Sequence, residues 1–80
     1  MSEYLTQVGR RAQLRETALK LKIQADSHRT SLRQLLDPLA EPADLPAGQI
    51  LALAGLLAEV VTELKETEAK IKAVGEIIGA

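Results

Sequence analysis

The chain has 80 residues, no cysteine, Tyr4 as its only aromatic residue and a formal net charge of −1. That length allows one small domain. The missing cysteines exclude a disulfide framework, thiolate catalysis and Cys-based metal sites. A composition rich in Leu, Ala, Glu, Lys and Arg with helical periodicity points to a coiled coil or helix bundle.

Met1–Gln13 is polar and charged, unlike a signal peptide. Ser2 is a candidate N-cap, with helix expected from about Glu3. No proline interrupts the pattern before Asp37. Leu14, Ala18, Leu21, Ala25, His28, Leu32 and Leu35 alternate steps of four and three, the heptad spacing of a helix that lies along another helix. Alanine at positions a lets two backbones approach, and leucine at positions d fills the adjacent space. Toward the N-terminus the a and d places fall to Arg11 and Gln7, while Leu5, Val8 and Ala12 carry the apolar surface one position later. Two outcomes are open there: drift of a straight helix off the heptad, or packing of the first turns on another neighbour.

Asp37-Pro38 should end this helix, because proline disfavours helical geometry in the residue before it. Prolines 38, 42 and 46 stiffen the connection. Leu39 and Leu45 are expected to fold over the end of the hairpin. Asp44 is the candidate N-cap of the second helix, with Pro46 in its first turn. In that helix Ile50, Leu53, Leu57, Val60, Leu64, Ile71, Val74 and Ile78 form a second heptad seam, with Thr67 at its one polar step. Gly79 is a candidate C-cap.

The two seams agree with the loop between them. In an antiparallel hairpin Leu35 meets Ile50, Leu32 meets Leu53, His28 meets Leu57, Ala25 meets Val60, Leu21 meets Leu64, Ala18 meets Thr67 and Leu14 meets Ile71. Residue numbers in every pair sum to 85, which puts the turn near Pro42. Agreement across levels of structure is stronger than either seam alone. The expected fold is all-α. It is one helical-hairpin domain over 1–80, with helices over about 3–37 and 46–78, a Pro-rich loop over 38–45, and coiled-coil-like packing. Residues 1–37 carry seven Arg/Lys against four Asp/Glu, and residues 38–80 carry three against seven, so the flanks should attract. Arg15 and Glu68 are placed for one such pair.

A lone hairpin encloses no core, and small chains are marginal without help. Leu51, Ala54, Leu56, Ala58 and Val61 lie outside the second seam, as Leu19 and Leu36 lie outside the first. The expected solution is a homodimer closing a four-helix bundle. Leu36, Leu51, Ala54, Ala58 and Val61 form its interface, or a site for a second protein over residues 50–61.

Residues with chemical potential are few. His28 is a pH switch or metal ligand only in its sharpest reading, and a polar seam residue in its ordinary one. Arg15, Lys22 and Arg29 recur every seven residues, with Arg33 one turn on, as a stripe that could meet phosphates. No aromatic residue is placed for base stacking, and Glu16 and Asp26 offset the charge. Ser27, Thr30 and Ser31 have no base–acid constellation. Glu59, Glu63 and Glu66 form an acidic face without a Glu-x-x-His motif. Thr67 should bond its hydroxyl back to its own helix.

No catalytic residue, metal site or cofactor is therefore expected, and the chain is not expected to be an enzyme. The leading expectation is a non-catalytic protein–protein interaction module: a small dimeric adaptor, regulator or assembly factor of bacterial or phage type, cytoplasmic and not membrane-bound. In architecture only, the small–large alternation resembles a plasmid-encoded RNA-binding hairpin dimer. That resemblance implies the first alternative, a nucleic-acid-binding dimer using the basic flank. The second alternative is a secretion or filament subunit, because helix–loop–helix chains also polymerise.

Overall fold

A computed structural model describes residues 3–77. The expected caps at Ser2 and Gly79, and the seam residue Ile78, lie outside the described residues. Two long helices run antiparallel as a hairpin, α1 over Glu3–Leu35 and α2 over Ala47–Ile77, with no strand among the described residues. The molecule is a rod of 62 × 16 × 14 Å. Its radius of gyration is 18.1 Å, where a compact chain of this length would have about 12 Å.

The heptad positions face inward along both helices. Ala18, Leu21, Val74 and Thr67 are buried. Leu14, Ala25, His28, Leu32 and Leu35 on α1 are half-buried, as are Ile50, Leu53, Leu57, Val60, Leu64 and Ile71 on α2. Ala18 and Thr67, expected in one layer, are 5% and 8% exposed. Both side chains are small, which permits the closest helix approach. The Thr67 hydroxyl donates to the carbonyl of Glu63 at 2.8 Å, so its burial leaves no unpaired donor.

The N-terminal turns keep the heptad instead of drifting off it. Gln7 and Arg11 are half-buried, whereas Leu5, Val8 and Ala12 are exposed. The heptad spacing that puts Leu14 to Leu35 on the seam places Gln7 and Arg11 there as well. The cost is visible in Gln7 Oε1 and Arg11 Nε, which are buried without a hydrogen-bond partner. An orphaned buried polar group costs about 1–3 kcal/mol.

The connection departs from expectation at three points. First, α1 stops at Leu35 instead of running to residue 37. The Asp37 carboxylate accepts from the backbone N–H of Leu39 at 2.9 Å, and its carbonyl accepts from Ala40 at 3.2 Å. These bonds hold a turn that competes with further helix. Second, Asp44 does not sit at the start of α2. It closes a 3₁₀ turn over Pro42–Asp44, its N–H donating to Glu41 at 2.9 Å. Pro46 stands just before the first helical residue, and its carbonyl accepts the N–H of Ile50 at 2.9 Å. Third, Leu39 is 92% exposed and covers nothing. The Asp37 turn projects it outward, while Leu45 is half-buried.

Two stability measurements check this account. Leu21→Ala should cost about 2–3 kcal/mol in urea unfolding, while Leu39→Ala should stay within about 0.5 kcal/mol of the parent. Comparable losses would contradict the burial pattern. Arg11→Leu should raise stability by about 1 kcal/mol, because it removes an orphaned buried donor and supplies an apolar seam residue. A loss of stability would mean that the guanidinium is better satisfied than its buried Nε indicates.

Candidate functional site

The groove between the helices identifies which residues share a face. Its lining comes from Arg15, Ala18, Leu19 and Lys22 of α1 and from Glu68, Ile71 and Lys72 of α2. Apart from the seam residues Ala18 and Ile71, each flanks the seam on the same side of the rod. Arg15, Leu19, Lys22, Glu68 and Lys72 all follow a seam position by one residue, about 100° around the helix. The same rule applied along both helices collects Arg15, Leu19, Lys22, Asp26, Arg29 and Arg33 on α1, with Leu36 just past its end. On α2 it collects Leu51, Ala54, Ala58 and Val61, followed by Lys65, Glu68 and Lys72. All five residues expected at an interface therefore belong to one face, and the four expected phosphate contacts belong to it too.

Within that face the apolar residues cluster toward the loop. Leu51 is 76% exposed and Leu36 46%. Ala58 is exposed, and Ala54 and Val61 are half-buried. Leu19 is also exposed. Leu56 and Ile23 are exposed elsewhere on the rod. Ile23 carried no sequence signal, because its position opposite the seam reads as solvent-facing.

Of the basic stripe, Arg15 and Lys22 line the groove between the helices, and Arg33 borders another with Thr30 and Gln34. Arg29 pairs with Asp26 one turn back on α1. Glu16 and Lys20 pair at 3.4 Å, both exposed. Such surface pairs stabilise little. Arg15 and Glu68 line the same groove, yet no ion pair links the two helices among the described residues. Apolar seam burial, not cross-helix charge pairing, therefore holds the hairpin together.

The residues weighed for chemistry are not brought together. His28 is half-buried on the seam, and Ser27, Thr30 and Ser31 are exposed. Glu59 and Glu63 border an open groove with Ala58 and Thr62. Among the described residues no group of three or more His, Cys, Asp or Glu is placed to hold a metal ion.

By length and composition α2 is long and apolar enough to cross a membrane. Its uncharged stretch runs only from Ala47 to Ala58, ahead of Glu59. At helical rise that stretch covers about 18 Å, against a hydrocarbon core of about 30 Å. Compared with known protein families, curated proteins and solved structures, the chain matches none.

Proposed function

We propose that this protein is a non-catalytic helical interaction module, a cytoplasmic homodimer that closes a four-helix bundle and serves as an adaptor, regulator or assembly factor. The supporting observation is an excess of surface. The chain exposes 6041 Å², while a compact folded chain of 8.6 kDa would expose about 4,700 Å². The difference of about 1,300 Å² exceeds the roughly 800 Å² per partner of a standard protein interface. No side chain is fully enclosed among the described residues, and exposed Leu36 and Leu51 lie on one face with Ala54, Ala58 and Val61. A second hairpin laid on that face would supply the missing core.

Protein is a better cover than lipid. Glu59 and Glu63 interrupt α2, and α1 carries charges along its length, so the hairpin as a whole is poorly suited to a bilayer. Phosphate binding is less favoured than protein binding because Asp26 already engages Arg29.

Sedimentation equilibrium at low micromolar concentration should return twice the 8.6 kDa chain mass. Replacing Leu36 and Leu51 together by Gln should weaken association at least tenfold, since each buried leucine contributes about 1.5–3 kcal/mol. A stable, well-folded monomer of the parent chain would overturn the proposal.

A further inference from the structure

Two stripes on the exposed face share a symmetry that decides how a second copy could lie on it. On α2 the apolar part of the stripe, ahead of Lys65, Glu68 and Lys72, is Leu51, Ala54, Ala58 and Val61, with steps of three, four and three. It reads the same in both directions, with large residues outside and small ones inside. Laid antiparallel on itself about its middle, such a stripe sets large residues against large and small against small. Leu51 then meets the partner's Val61, and Ala54 meets the partner's Ala58. The centre of this arrangement lies at residue 56.

Beyond Arg15, the same face along α1 and just past its end presents Leu19, Lys22, Asp26, Arg29, Arg33 and Leu36, six residues with steps of three, four, three, four and three. This series is also palindromic. Run antiparallel to itself, it sets Leu19 against the partner's Leu36 and Asp26 against the partner's Arg29. Its centre lies between residues 27 and 28. In the hairpin register that height on α1 faces residues 57 and 58 of α2. The centre found separately on α2 is one or two residues away, roughly 2–3 Å at helical rise. One two-fold axis therefore serves both helices, as an isologous contact requires.

We propose that a second copy of this chain covers the face, with α1 on the partner's α1 and α2 on the partner's α2, each pair antiparallel about an axis near Leu56. This rests on the interaction-module reading and specifies its partner and geometry. Charge supports it at the axis. Asp26 and Arg29 already pair within the chain, and two such pairs meeting there form a ring of alternating sign. Lys22 against the partner's Arg33 is the one unfavourable layer. Both are long, exposed side chains that can turn to solvent. The overlap of about 40 Å covers roughly the two-thirds of each 62 Å rod nearest the loop and leaves the open ends, with Gln7 and Arg11, projecting in opposite directions.

The chain has no cysteine, so a nitroxide on Glu41→Cys labels the exposed loop alone. Electron–electron distance measurement on the labelled dimer should give roughly 40 Å, because each loop stands about 20 Å from the axis at helical rise. A parallel dimer would bring the loops within about 20 Å, and an end-shifted one would move the distance well away from 40 Å. Either result overturns this geometry while leaving a dimeric module standing. If the labelled chain and the unlabelled parent both stay monomeric, both readings are overturned. Ala58→Glu places a carboxylate against the partner's Ala54 and should weaken association at least a hundredfold with helix content unchanged. A full-strength Ala58→Glu dimer also overturns the proposed contact. Should that variant lose its helices, the Glu41 distance decides the geometry without it.

Discussion

The layer made by Ala18 and Thr67 sets the terms for the rest of the hairpin. Two small residues at one height let the backbones approach, and the leucines and isoleucines of neighbouring layers close over the gap. A larger residue at either place would force the helices apart and overpack the seam. Thr67 is acceptable there because its hydroxyl is satisfied by Glu63 within its own helix. The seam gains apolar contact without burying a lone donor.

That same close approach explains what the hairpin lacks. Two helices in contact along one seam bury one stripe each and enclose nothing. Most of the seam is therefore half-buried, and the few buried residues sit in the half away from the loop. The loop half carries the wider apolar circumference, including Leu36, Leu51, Ala54, Ala58 and Val61. A helix apolar over much of its surface needs more than one neighbour. The proposed dimer supplies that neighbour where the surplus lies. The polar seam residues Gln7 and Arg11 stand in the other half, where Val74 and Gly75 of α2 are also buried.

Much of the fold was legible because helical packing is written at a period of three and four. The seam positions could be read from spacing alone, and the proline-rich stretch fixed the direction of return. The connection was less legible. Its bonds depend on local competition for backbone groups, as where the Asp37 carboxylate takes the N–H of Leu39 and Asp44 is drawn into a 3₁₀ turn. The fate of Gln7 and Arg11 was also undecided, since residue type favoured drift and register favoured the seam. For the candidate interface, composition marked the surplus apolar residues but did not join them to the basic stripe. Their common face depends on both helices being rotated the same way from one seam.

The sequence by itself determined two helices, their antiparallel return and which residues look inward, because each follows from periodicity and proline chemistry. Only the tertiary structure decided where the helices stop, that polar Gln7 and Arg11 stay on the seam, and that Leu39 points to water. It also decided that one groove face unites residues some 50 positions apart, such as Leu19 and Lys72. The physical reason is that periodicity specifies a stripe on one helix. The height and rotation of one helix against another are set by packing along the whole seam.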